Sequence, residues 1–545
     1  MSTPKHHKGD FWVWLNALGV AISLLMVIGL TLHIAYKGIT HFWPKPIEQV
    51  TYQKDGQKVT ILGERMDDEP LFDENGNVIE GEEQILYKIG NRKLNGLDFR
   101  WIKAHAIVGE PSFPAEATVF ERLEWGNAYG FVKAVLENGQ PVVDDASPNL
   151  MSELAKRYQR ARELHEQIID IEKDDIGAIN YRMEQLRLAQ RRLELDGEDT
   201  PEALASIERE RQDLQAQFAE LKKELTRLNQ AAARDTLVIR LADGRESQFP
   251  LVQVVRYYQP NQLGMAGKIG VFLDRIWEFL SDDPREANTE GGVFPAIFGT
   301  VLMVILMSIV VTPFGVIAAV YLREYATQGW LTRTVRIAVN NLAGVPSIVY
   351  GVFGLGFFVY FLGGNIDDLF FPEAAPSPVF GTPGLLWASL TLALLTLPVV
   401  IVSTEEGLTR VPKAVREGSL ALGATKAETL WKTVLPMASP SIMTGVILAI
   451  ARAAGEVAPL MLVGVVKLAP SLPLDGNPPF LHLERQFMHL GFHIYDVGFQ
   501  SPNVEAARPL VYATSLLLLA VIVLLNLTAI RIRNRLREKY KALEH

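Results

Sequence analysis

The stretch TEEGLTRVPKAVREGSLALGATKAETLWKTVLPMASPSIMTGVILAIARAAGEVAPLMLVG, residues 404–464, decides how the chain is read. It opens polar and amphipathic, ends apolar, and follows another apolar run at 385–402. Gly423 suits the left-handed residue that ends a helix. Thr425-Lys426-Ala427-Glu428 reads as a capping box that opens the next helix. Pro436 is expected to stop that second helix ahead of the following apolar segment. Residues 404–436 thus form a compact knob of two short helices joined at a glycine. An ordinary amphipathic connector shares these local features, so the loop alone leaves its role open.

The flanking sequence places this knob against a membrane. Six segments approach the ~20 apolar residues that a spanning helix needs. They lie near 13–36, 293–321, 337–362, 385–402, 442–466 and 510–530. The basic residues set their direction. Arg323, Arg333 and Arg336 follow the second segment, and Arg410, Lys413, Arg416, Lys426 and Lys432 lie in the knob. The tail carries Arg531, Arg533, Arg535, Arg537, Lys539 and Lys541, whereas residues 363–384 hold Asp367 and Asp368 with no Lys or Arg. Both termini and the knob are therefore expected on the cytoplasmic side. The first segment is too long for a signal core and lacks a small-x-small cleavage site, so it reads as a retained anchor. The 545 residues include no cysteine, which removes disulfides and thiolate chemistry. A net charge of −9 with no basic-aromatic block gives no sign of nucleic-acid binding.

A soluble region, 46–292, separates the first two segments. Asp55-Gly56, Asn138-Gly139 and Asp243-Gly244 sit between strand-like runs, as hairpin turns do. Those runs are 58–62, 84–89, 131–136, 236–241 and 249–257. Between the β patches, residues 149–234 read as an antiparallel helical hairpin turning at 196–201. Its second arm carries Leu204, Phe218 and Leu225 on one seven-residue series and Ile207, Leu214, Leu221 and Leu228 on the other, a coiled-coil seam. Its first arm would reach on the order of 60–70 Å, toward an unknown periplasmic partner or flat along the β part. Residues 264–281 form an amphipathic helix, placed either in the membrane interface or in the soluble core.

Two ionisable residues, Arg452 and Glu456, lie inside the fifth apolar segment. Charges at membrane depth are costly and mostly face a bundle interior or a watery path. Their spacing of four puts them on one helix face. A buried pair that fixes helix packing is one reading; anion passage is the other. Arginine suits an oxyanion, and the neighbouring carboxylate favours an oxyanion that still carries a proton, phosphate over sulfate. A second polar cluster, Asn340 to Ser347, breaks helical regularity with Gly344 and Pro346 and marks Asn341 and Ser347 as candidate path residues. A plain kink is the alternative there.

The spacing Glu417-Gly418-Ser419, Gly423, Leu435-Pro436 resembles the EAA loop of ABC import permeases, with Gly and Ser for two alanines and Thr433 for a branched apolar residue. NLAGVPSIVYGVFGLG (341–356) and ARAAGEVAPLMLVG (451–464) resemble the third- and fifth-segment signatures of the PstA phosphate permease family. The resemblance covers roughly residue 290 onward. It implies the type I ABC importer fold: an α-helical polytopic membrane protein with about six spans, here with a periplasmic α+β insert. It implies ATPase coupling by Glu417, Gly418, Ser419 and Gly423, and a substrate path at Arg452, Glu456, Asn341 and Ser347. It also implies a PstC-like second permease, two PstB-like ATPases and a PstS-like periplasmic phosphate-binding protein, in a bacterial inner membrane. The long insert departs from the family pattern.

These readings divide the chain into an N-terminus and anchor (1–45), the insert (46–292, with β parts 46–148 and 235–262), the permease core (293–531) and a basic tail (532–545). No catalytic residue, metal site or cofactor is expected, because the only Gly-Lys pair, Gly267-Lys268, lacks the first glycine of a phosphate-binding loop. ATP hydrolysis then belongs to another chain. The competing functions are a permease for molybdate or sulfate, and a membrane-anchored sensor or scaffold working through the hairpin.

Overall fold

The computed structural model describes residues 10–72, 78–501 and 504–540. Six of its helices are long and apolar enough to cross a membrane: Phe11–Thr40, Phe294–Tyr325, Ser347–Phe370, Leu385–Arg410, Lys426–Gly455 and Ala507–Arg535. The fourth is the centre of the bundle. Two thirds of its apolar window is buried (67%), against 28% for the second and 39% for the fifth. Small residues let its neighbours close on it. A Cβ at Gly445 would lie 2.6 Å from that of Ser403, and one at Gly407 2.7 Å from that of Ser441. These two contacts, four residues apart on each helix, lock the fourth and fifth spans antiparallel. Gly315 of the second span meets Val400 in the same way, at 2.6 Å. The first span stands outside this core and leans on the sixth, where Gly38 abuts the backbone of Tyr512.

Three boundaries differ from the sequence reading. The third span starts at Ser347, because the chain first makes a separate helix, Trp330–Leu342, and breaks at Pro346, whose backbone is extended (φ −55°, ψ 135°). The fifth span ends at Gly455 rather than near Val466. Pro436 does not stop its helix. A π turn at Leu430–Val434 shifts the bonding to i→i+5, and the Leu435 N–H reaches back to the Leu430 carbonyl. The helix then runs on through the residue that cannot donate.

The insert holds two sheets. Antiparallel β1 (Ile47–Lys54), β2 (Gln57–Phe72), β3 (Val78–Lys88) and β4 (Phe99–Lys103) form the first, in sequence order. The second runs β10-β5-β6-β8-β9, with β7 also on β6: β5 is Thr118–Arg122, β6 Ala128–Glu137, β7 Gln140–Asp144, β8 Asp235–Arg240, β9 Glu246–Pro250 and β10 Val254–Tyr258. The run 249–257, read as one strand, is two. A 3-10 turn at Leu251–Gln253 sends β9 to pair with β8 and β10 to pair with β5. At the turns 55–56 and 138–139 both residues have positive φ, the geometry that lets a two-residue loop match the strand twist.

A buried ion network ties this sheet to the membrane-proximal helix Met265–Ser281. Glu121 on β5 accepts from Arg256 at 3.0 Å and from Arg275 Nε at 3.0 Å, and Glu278 accepts from Arg256 at 2.9 Å. Burial alone raises the Glu121 carboxyl, but Arg275 and Arg256 overcome it and hold the group at about 2. The same helix uses both faces. Phe272, Ile276, Phe279 and Leu280 pack with Phe42 and Val293, while Met265, Ile269, Leu273 and Trp277, each four apart, stay exposed. The two placements considered from sequence are thus opposite faces of one helix: core on one side, an apolar stripe of membrane-interface type on the other.

The hairpin's first arm is Leu150–Asp170, a π turn and Ile176–Asp196; the second is Pro201–Ala233. Gly197 (φ 70°) closes the first arm and Thr200 caps the second. Leu204, Ile207, Leu214, Leu221 and Leu225 are half-buried and Leu228 is buried, but Phe218 is exposed. At the base Leu154 and Ala161 enter the sheet core, and Arg157 bonds Asp235 and Glu137, each at 2.8 Å. The distal arm is not a free reach away from the spans. Lys173 pairs with Asp283, Tyr181 donates to the Pro478 carbonyl, and Arg192 pairs with Glu373. The arm is seated on the loops that follow the third and fifth spans.

Two outcomes follow. Glu373 is only 5% exposed, so Arg192→Ala strands a buried carboxylate; hydrogen exchange across 363–384 should rise, and Glu373→Gln should restore protection. At the base, Arg275→Met should destabilise the insert by about 3–5 kcal/mol, the usual cost of breaking a buried pair. Because the folded Glu121 group lies below its ordinary 4.5, its contribution is full above that value and fades as pH falls toward about 2. Acid unfolding of the insert, followed by hydrogen exchange, should lose this dependence in Glu121→Gln.

Candidate functional site

Two regions carry the candidate residues. The first is the knob. Its helix Lys413–Ala421 buries no residue, and Glu417 and Gly418 are exposed on it. Ser419 is half-buried and its hydroxyl lies 2.9 Å from that of Thr429 across the turn. Gly423 sits at φ +88°, a conformation that costs a side-chain-bearing residue roughly 1–2 kcal/mol. Thr425 and Glu428 form a complete capping box, Thr425 Oγ1 accepting from the Glu428 N–H at 3.2 Å. The knob is anchored sideways. Arg416 pairs with Glu324, and Lys426 donates to the Glu324 carbonyl and lies 4.7 Å over the Tyr325 ring. The sequence reading missed this anchor; an unmatched glutamate ending the second span was its only sign. Leu422 is 91% exposed and Trp431 66%. An apolar tip on a braced, polar knob is a surface built to be covered.

The second region lies where the fifth span ends. Arg452 is in the last turn of its helix, and Glu456 is just past it in extended backbone (φ −80°, ψ 134°). The pair therefore forms across a helix end rather than along one face, with Arg452 Nε 3.6 Å from Glu456 Oε1. Their side chains are 34% and 21% exposed, although Ala453 and Ala454 between them are fully buried. The chain then turns through Pro459, against which Gly351 packs so closely that a Cβ would lie 2.7 Å from the proline Cα. The start of the third span is thus held beside the Arg452–Glu456 turn. Ser347, half-buried, is the first residue of that span, and Asn341 is exposed at the end of the preceding helix. Tyr350 donates to the Leu342 carbonyl at 2.6 Å and braces the break between them. No hydrogen bond or ion pair joins Asn341 or Ser347 to Arg452 or Glu456 among the described residues.

A third polar cluster was not anticipated. Asp496, 1% exposed, pairs with Lys467 at 3.1 Å and accepts from Asn288 at 3.3 Å. Neighbouring His489 and His493 are buried, and burial lowers both to about 4. The cluster fastens the end of the insert to the loop between the fifth and sixth spans. No sequence signal pairs residues about 180–208 apart. No group of three or more potential metal ligands occurs among the described residues.

Residues 311–541 match the family of binding-protein-dependent transport system inner membrane components. The probable ABC transporter permease protein YqgH of Bacillus subtilis is 34% identical over 36% of this chain and 62% of its own length. The phosphate transport system permease protein PstA 1 of Mycobacterium tuberculosis H37Rv is 36% identical over 45% of this chain and 70% of its own. The chain belongs to this permease family. Among solved structures, the MetNI methionine ABC transporter is similar at a TM-score of 0.33 and 20% identity, over 48% of this chain and 98% of that one. The residues matched to the permease family start within the second span, so the insert is an addition to the family core. Membership removes the reading of the chain as a sensor with a few anchoring spans.

The knob yields one outcome. Proline fixes φ near −65° and cannot adopt the Gly423 geometry. Gly423→Pro should leave the chain in the membrane at normal levels yet abolish transport-linked ATP hydrolysis in the purified complex; full stimulation by substrate would remove the knob from coupling.

Proposed function

We propose that this chain is the permease subunit of an ATP-driven importer of inorganic phosphate. The observation that supports this most is the Arg452–Glu456 pair, partly open at the end of the fifth span and beside a broken third span. A guanidinium there supplies planar donors to an oxyanion. The carboxylate accepts from an oxyanion that retains a proton and repels one that does not. Phosphate near neutral pH meets that condition and sulfate does not. The PstA relatives agree with this substrate.

Movement requires two halves and an energy source. The exposed faces at Asn341 and Arg452 suit a second permease subunit of PstC type, with the path between the two chains. The knob, with Glu417, Gly418, Ser419 and Gly423, suits one of two PstB-type ATPase subunits, and ATP hydrolysis takes place there. A PstS-type binding protein delivers phosphate to the outer face, where the insert stands. The distribution of Lys and Arg supports a bacterial inner-membrane protein with both termini cytoplasmic and the insert periplasmic.

The test is uptake of labelled phosphate in cells. Arg452→Gln should lower it at least about tenfold, since a charged donor in a low-dielectric region is lost. Glu456→Gln should lower it less and weaken discrimination against sulfate. Normal uptake and discrimination in both variants would make the pair a packing device and end this reading.

A further inference from the structure

We propose that a second oxyanion-binding station lies at the inner end of the path, in the cavity between the second span, the helix Trp330–Leu342 and the fourth span. This rests on the phosphate-path reading above, and deepens it by naming where the anion pauses before release. The cavity holds about 460 Å³ and is lined by Arg323, Arg336 and Arg410 with Glu405, Glu406 and Thr409. That volume falls in the range of small-ligand sites. Three guanidinium groups against two carboxylates leave a net charge of +1.

The guanidinium groups are only partly used. Arg336 gives one terminal nitrogen to Glu405 Oε1 at 3.3 Å, while its Nε is buried with no hydrogen-bond partner. That Nε is closed to solvent, so what Arg336 offers the cavity is its terminal nitrogens. Arg323 has no ion pair among the described residues. Arg410 meets Glu406 at 3.8 Å with both side chains mostly exposed, so that pair is weak and screened. A tetrahedral oxyanion fits this cavity: two of its oxygens engage the two terminal nitrogens of Arg336 and a third faces Arg323. Such bidentate, charge-assisted contacts are the strong ones for phosphate.

Glu405 gives the station its character. Its carboxylate occupies one arm of the fork that the anion needs, so it competes with the cargo from within the protein. An anion held against such a competitor is bound weakly and released readily, as an exit requires and a high-affinity trap does not. The approach is marked on the helix itself. Arg333, Arg336 and Asn340 are three and four residues apart and share one face. That face leads to Asn341 and the break before Ser347, the part of the path next to Arg452.

A purely structural ion pair gives a different forecast. If Arg336 and Glu405 only pin the helix to the fourth span, removing either partner acts in the same direction. The station requires opposite signs. The experiment titrates inorganic phosphate into the purified full-length chain in lipid nanodiscs, with Arg452→Gln as background so that the membrane-depth site is silent. Binding should persist in that background. Arg336→Gln should weaken it by about tenfold or more, as loss of a bidentate arginine does. Glu405→Gln should tighten it several-fold. Arg336→Lys keeps the charge without the fork and should fall between. Matching elution profiles and helical content show that the variants fold. No phosphate binding in the Arg452→Gln background, or changes of the same sign in the Arg336 and Glu405 variants, overturns the station. The path reading fails separately, by normal uptake and discrimination in both Arg452→Gln and Glu456→Gln cells.

Discussion

Contact between the fourth and fifth spans is the constraint on which the rest of the molecule depends. Ser403 against Gly445 and Gly407 against Ser441 bring the two helices to near backbone distance. Lipid tails are as apolar as leucine, so close packing of small residues, rather than water expulsion, holds such helices together. The consequence reaches both ends. At one end the fifth span presents Arg452 beside the fourth span and the start of the third. At the other, the same two helices emerge side by side as the two stems of the knob. A side chain added at Gly407 or Gly445 would therefore disturb path and knob together.

The knob and the Arg452–Glu456 turn are linked by a single continuous helix. Lys426 to Gly455 runs from the capping box to the residue before Glu456. Pro436 and Pro440 lie within it, and the π turn at Leu430–Val434 absorbs the first of them without ending the rod. One helix thus joins the knob directly to the turn that holds the ion pair. The lateral brace, Arg416 and Lys426 on Glu324, adds the end of the second span to the same unit. The arginine-lined cavity lies beside this brace, since Arg323 lines it and Glu324 anchors the knob.

The insert is fastened to the permease at several heights. Asn288 on Lys467 and Asp496 fixes its exit and Arg192 on Glu373 fixes the distal hairpin, while the Glu121–Arg275 network ties its sheet to its own membrane-proximal helix. Each is a charged or polar contact with at least one partner largely buried. Such contacts add little net stability but enforce one arrangement, because the unpaired alternative is penalised. The hairpin is consequently held against the permease rather than free of it.

The sequence by itself determined what depends on local order. Apolar length gave six spans, Asp-Gly and Asn-Gly pairs gave the hairpin turns, and Gly423 with Thr425–Glu428 gave the knob, since each is settled by a few adjacent residues. Only the tertiary structure decided the rest. Pro436 was misjudged because a proline's effect depends on the hydrogen-bond register around it. Glu456 was placed on a helix that ends one residue earlier, and helix ends are fixed by what packs there, here Pro459 against Gly351. The run 249–257 was divided because its two halves have different partner strands. The seat of the hairpin on the permease was invisible because Arg192 and Glu373 are 181 residues apart, and pairing over that distance is set by the fold, not by any local pattern.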